Sequence, residues 1–188
     1  MVAKDERAGT SRMITVDVPR RGLAAIGTDD PLAALEPSEV RRASAGIAVR
    51  EFPGRVRAFV ELVRRFGGLT ARALVGGEFT GGGDQALIEV SVMQETGAAR
   101  PVRSHLGRHL YAAGLPAEFA DAVLQGLLLA GSELPAGVLV IDRGAVDDEG
   151  SSSVVFRQAA QLLREALLVL PQDAGAIEGH VRAVMATW

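Results

Sequence analysis

The sequence predicts an α+β fold. Strand-like runs at Leu69–Val75 and Ala86–Met93 come first, and a helix, a strand and a second helix follow. Proline or glycine punctuates most of the junctions. With 188 residues, 48% hydrophobic and 23% charged, the chain can bury one core of ordinary size.

The elements read in order as follows. "MVAKDERAGTSR" is a loose polar tail over residues 1–12. Ile14–Val18 alternates as a short strand and stops at Pro19. Residues 19–38 read as mostly loop, "PSEVRRASAG" as a short helix and "IAVREF" as a strand ending at Pro53. In Arg55–Phe66, the spacing of Val56, Phe59, Val60, Val63 and Phe66 predicts a helix, closed by Gly67 and Gly68. The glycines of "GEFTGGGDQALIEVSV" read as a hairpin tip, because glycine supplies positive φ without steric cost. Arg103–Ala113 reads as helical. Pro116–Ala130 is a helix with proline in its first turn, and Gly137–Ile141 is a buried strand. "DDEGSSS" caps a helix over Ser152–Leu168, with serines for the orphan amides and acids for the helix dipole. A last amphipathic helix carries Ile177, Val181, Val184, Met185 and Trp188 on one side. The expected division is a tail (1–12), an N-terminal extension (13–68), an α/β core (69–170) and a C-terminal helix (171–188).

Composition excludes some chemistry. There is no cysteine, hence no disulfide or thiol chemistry. Lys4 is the only lysine, which removes a phosphate-loop lysine. No apolar run is long enough for a membrane span, and the start lacks a signal-peptide core, so a cytoplasmic location is expected. Arginine supplies nearly all basic charge, the habit of a GC-rich bacterial genome. Residues 1–75 hold 13 basic and 9 acidic residues, and residues 76–188 hold 7 and 14. Arg41, Arg42, Arg50, Arg55, Arg57, Arg64 and Arg65 therefore form a candidate basic patch for phosphate, against the alternative of a solvated, charge-mixed face.

The other motifs are weaker. The glycine loop precedes a strand rather than a helix, so it lacks the order of a phosphate loop. His105 and His109 would share a helix face, but a third metal ligand is missing from the motif, and no metal or cofactor is expected. Ser104 adjoins His105 without a nucleophile-elbow motif. An enzyme would need a dispersed site from Asp84, Glu89, His105, His109 and Asp142. Ile177, Val181, Met185 and Trp188 offer an interface helix for a protein partner or for homo-oligomerisation, although covering its own sheet is the commoner fate of such a helix.

Three segments together resemble the fourth domain of translation elongation factor G. "EFTGGGDQALIEV" is similar to the family's T-G-G and I-E-V pattern, at Thr80, Gly81, Gly82 and Ile88, Glu89, Val90. "LPAEFADAVLQGLLLAG" matches at Pro116, Glu118, Ala122, Val123 and Gly126, with Phe119 where the family has tyrosine. "GAVDDEGSSSVVFRQAA" matches at Gly144, Ser151, Ser152 and Phe156. The resemblance spans roughly residues 69–168. It implies a two-layer α/β sandwich of the ribosomal protein S5 domain 2 type, with helices on one face of a mixed sheet. It also implies a non-enzymatic module that meets RNA or the ribosome through loop tips, here Thr80, Gly81, Gly82, Gly83, Asp84, Asp147 and Asp148. The family's Tyr-His pair falls on Val146 and Asp147, and its glycine loop is longer and carries a basic residue.

Overall fold

The computed structural model describes residues 13–28, 32, 36–49, 52, 54–93, 101–129 and 133–188. Among these, ten strands build one mixed sheet and three helices pack on it. The strands are β1 (Met13–Val18), β2 (Gly22–Gly27), β3 (Glu39–Ile47), β4 (Arg55–Phe66), β5 (Leu69–Gly81), β6 (Ala86–Val92), β7 (Pro101–Arg103), β8 (Leu110–Ala113), β9 (Glu133–Leu134) and β10 (Gly137–Val146). The helices are α1 (Ala117–Leu129), α2 (Ser153–Val169) and α3 (Ile177–Ala186). The sheet runs β1-β2-β4-β5-β10-β6-β3-β9, and the β7–β8 hairpin joins the end of β10. The polar tail and Arg50 lie outside the described residues.

Three expected elements are as the sequence predicts. α1 follows Pro116, whose carbonyl accepts from Phe119 and Ala120. α2 is capped by Ser152, whose side chain accepts from the Val155 amide. α3 buries Ile177, Val181 and Met185 against the chain's own β1 and α2, so this face is already covered. Trp188 donates from Nε1 to Gln161 Oε1 at 3.0 Å.

Elsewhere strands replace expected helices and loops. Arg55–Phe66 is a strand paired to β2 on one side and β5 on the other. Ala58, Val60 and Leu62 face the helices, while Phe59 and Glu61 are buried on the opposite side. A strand buried on both faces is apolar all along, and a helical subset of positions falls out of it by coincidence. Gly67 and Gly68, at φ 55 and 96, make the two-residue turn of the β4–β5 hairpin instead of a helix stop. "PSEVRRASAG" forms β3, antiparallel to β6 from Glu39↔Val92 to Ala45↔Ala86. The unpaired edge of β6 overrides a weak local propensity here. The expected loop over 19–38 contains β2, whose Ala24, Ala25 and Ile26 are fully buried. The expected helix over Arg103–Ala113 is the β7–β8 hairpin and its loop.

The three-glycine stretch is not a hairpin tip. β10 lies between β5 and β6, antiparallel to the first and parallel to the second. The Gly82–Gln85 connection therefore passes over the start of β10. The Gly82 amide donates to Ala136 and the Gly137 amide to Gln85. Gly82 and Gly83 do take positive φ, at 134 and 81.

One apolar cluster fills the space between the sheet and all three helices. A smaller one, with Leu74, Val102, Tyr111 and Ala145, lies between the other face and the β7–β8 hairpin. Residues 13–66 supply four strands of the same sheet, so they complete the core and do not stand apart from it. No helix among the described residues is long and apolar enough to cross a membrane.

Candidate anion-binding cleft

One end of the sheet gathers the β1–β2 turn, the β4–β5 turn, the β7–β8 loop and the Asp147–Gly150 turn. On the face away from the helices the first three of these, with the residues flanking them, line a cleft of about 600 Å³. Its foundation is Glu61 of β4, which has no solvent exposure. Such a carboxylate needs donors, and Glu61 has three. Ser104 Oγ donates to Oε1 at 2.5 Å, Tyr111 Oη donates to Oε1 at 2.8 Å, and the His105 amide donates to Oε2 at 2.6 Å. One buried side chain thus pins the whole β7–β8 loop to the sheet. Burial first, and the Glu61 charge second, push the Tyr111 hydroxyl well above the ordinary tyrosine range.

The rim is equally tied down. Arg72 donates to Asp147 Oδ2 at 3.0 Å. His109 Nε2 lies 2.9 Å from the same oxygen, without the alignment of a hydrogen bond. Asp147 Oδ1 accepts from the Glu149 amide and the Asp147 amide donates to Ser151 Oγ. The acidic run therefore shapes a turn and holds Arg72. No acid sits in the first turn of α2.

Four arginines line the cleft, Arg20, Arg65, Arg72 and Arg108. Arg72 has its partner. Arg20, Arg65 and Arg108 have no acidic partner among the described residues. Arg20 is also the one described non-glycine residue at positive φ, 65°. It follows Pro19 in a turn closed by the Arg21 amide donating to the Val18 carbonyl at 2.9 Å. Proline at the second position and positive φ at the third define a type II turn, where glycine is usual. Holding arginine there costs on the order of 1 kcal/mol.

The expected basic patch does not assemble. Arg41 pairs with Asp121 of α1 at 2.9 Å and with Glu39, and Arg42 pairs with Glu89 at 2.8 Å. Arg55 and Arg57 share Glu78. Arg64 turns toward the helix side, between the rings of Phe66 and Trp188, and burial lowers its pKa. Of the described members of the patch, only Arg65 reaches the cleft. Alternation along a strand sends neighbouring arginines to opposite faces, which the helical reading of this segment hid.

The other expected residues separate. Thr80, Gly81, Gly82, Gly83 and Asp84 sit at the start of β10, while Asp147 and Asp148 sit past its end. At 10 residues, β10 holds the two loops roughly 30 Å apart. His105 stacks on Phe59 and His109 meets Tyr111 edge-on, so the pair does not share a ligand face. No three His, Asp or Glu side chains among the described residues are grouped to hold a metal. Asp84 and Glu89 lie away from both histidines, and Glu89 is engaged by Arg42. Sequence reasoning missed Arg20, Arg72 and Arg108. For Arg20 a signal existed: "PRRG" between two apolar runs is a turn pattern. No family model matches this chain, and no curated protein matches it.

Proposed function

We propose that this chain is a non-enzymatic RNA-binding module, built on the S5 domain 2 type of fold and contacting phosphate through the arginine cleft. The observation that carries it is a set of three guanidinium groups with no acidic partner among the described residues, Arg20, Arg65 and Arg108, around one concave, solvent-open site. The arginines of β3 and the start of β4 are by contrast neutralised by acids of the same chain. The order β5-β6-α1-β10-α2, interrupted by the short strands β7, β8 and β9 and with helices on one face, supports the resemblance to the elongation-factor domain. Within that resemblance, the loop before α2 is tied to the cleft by Asp147, which holds the lining residue Arg72, and the glycine loop is not.

The test is binding to ribosomes and to single-stranded RNA across a salt series. Affinity should fall steeply with salt, and Arg65→Glu with Arg108→Glu should weaken it at least tenfold and flatten the salt slope. Arg41→Glu with Arg42→Glu should change it little. Undiminished binding by the first pair, or none by the wild type at low salt, would sink the proposal.

A further inference from the structure

We infer that the cleft is a site for a phosphate monoester, the terminal phosphate of an RNA strand or of a small phosphorylated molecule, rather than for a passing phosphodiester backbone. The inference rests on the anion-binding part of the reading above. It goes beyond that reading in naming the charge and the shape of the group taken.

Charge is the first ground. Arg72 is held by Asp147, so it brings no free positive charge to the cleft. Among the described residues, the ionic groups left without a partner on the lining are Arg20, Arg65 and Arg108 against Asp17. Three positive charges and one negative leave an excess of two. A phosphate monoester carries up to two negative charges near neutral pH, and three terminal oxygens. A backbone phosphodiester carries one charge and two such oxygens.

Shape is the second ground. A flat basic face suits a backbone that runs past, but this site is a cleft of about 600 Å³. The β7–β8 loop that closes it is anchored through Glu61 and not free to swing aside. A concave site of that kind admits a chain end more readily than a chain middle. Thr70 also lines it, and its hydroxyl suits a remaining phosphate oxygen.

Arg20 is the third. A type II turn here would be relaxed with glycine, yet it presents arginine to the cleft. Non-glycine residues held at positive φ cluster at ligand sites, where the strain positions a side chain.

The experiment uses the full chain and four probes: inorganic phosphate, dimethyl phosphate, and one RNA oligonucleotide with or without a terminal phosphate. Calorimetry should show inorganic phosphate binding and dimethyl phosphate not. The phosphorylated oligonucleotide should bind about tenfold more tightly than its unphosphorylated twin. Arg20→Gly should abolish that difference while leaving the melting temperature unchanged or raised, and Arg65→Gln should do the same from a second element. Equal affinity for both oligonucleotides, with no phosphate binding, overturns the inference while leaving RNA binding intact. Phosphate binding that depends on Arg20, with no RNA bound at any salt, supports the monoester site, assigns it to a small phosphorylated molecule and ends the RNA reading.

Discussion

Tyr111 and Glu61 show what burial does to single polar groups. In the sequence Glu61 is one of several glutamates among arginines, and nothing marks it as different from Glu39 or Glu78. In the fold it has no exposure, and its cost is met by three donors on the β7–β8 hairpin, more than forty residues away. The same pair yields a pH prediction. Tyr111 holds its proton well above the unfolded tyrosine value of 10.0. The associated stability is present in full below that value and is lost as the pH rises from there toward the folded value. Tyr111 is the only tyrosine, so tyrosinate absorbance should appear together with unfolding, followed by Trp188 fluorescence, and not before it. A tyrosinate signal at an ordinary midpoint, with Trp188 still native, would contradict the buried network. The Tyr111→Phe variant should lose the alkaline slope.

At the scale of elements, glycine separates propensity from packing. Gly126 in α1 and Gly179 in α3 both sit inside helices, where alanine is favoured by about 1 kcal/mol. A Cβ on Gly126 would lie 2.2 Å from the Arg157 carbonyl of α2 and 3.0 Å from Ala160 Cβ. The helices meet there, beside the stacked Phe119 and Phe156 rings at 4.6 Å. A Cβ on Gly179 meets nothing. Gly126→Ala should therefore destabilise by about 1–3 kcal/mol, while Gly179→Ala should stabilise by up to about 1 kcal/mol. Urea unfolding of both variants checks the sign. α1, α2 and α3 were legible because each leaves one apolar stripe and carries its own stop or cap. β4 was misread because, buried on both faces, it shows no strict alternation and its apolar residues also fit a helical spacing.

For the whole molecule, the sheet joins what the sequence seemed to divide. β4 pairs with β5 over its full length, and β3 covers the outer edge of β6. A fragment starting at residue 69 would expose one edge of β5 and one of β6, and would strip Ala58, Val60 and Leu62 from under α2. Such a fragment should fail to fold alone, giving a collapsed spectrum with no cooperative transition. A well-dispersed, cooperatively melting fragment would restore a division at residue 68. Charge is also decided at this scale. The first part of the chain carries the arginine excess, but only the folding of β1, β2, β4, β5 and the β7–β8 loop to one end selects Arg20, Arg65 and Arg108 for the cleft.

Local sequence alone carries the class of fold, the helices α1, α2 and α3, a serine cap on α2, and the strands β1, β5, β6 and β10 in part. Those features depend on neighbours within a few turns of chain: apolar period, capping oxygens, and glycine or proline at the ends. Long-range pairing makes Arg55–Phe66 a strand, sets β10 between β5 and β6, and creates the cationic cleft. Strand pairing and charge pairing bring together residues far apart in sequence, such as Arg42 with Glu89 and Glu61 with Tyr111. A local pattern carries no record of which partner will be there.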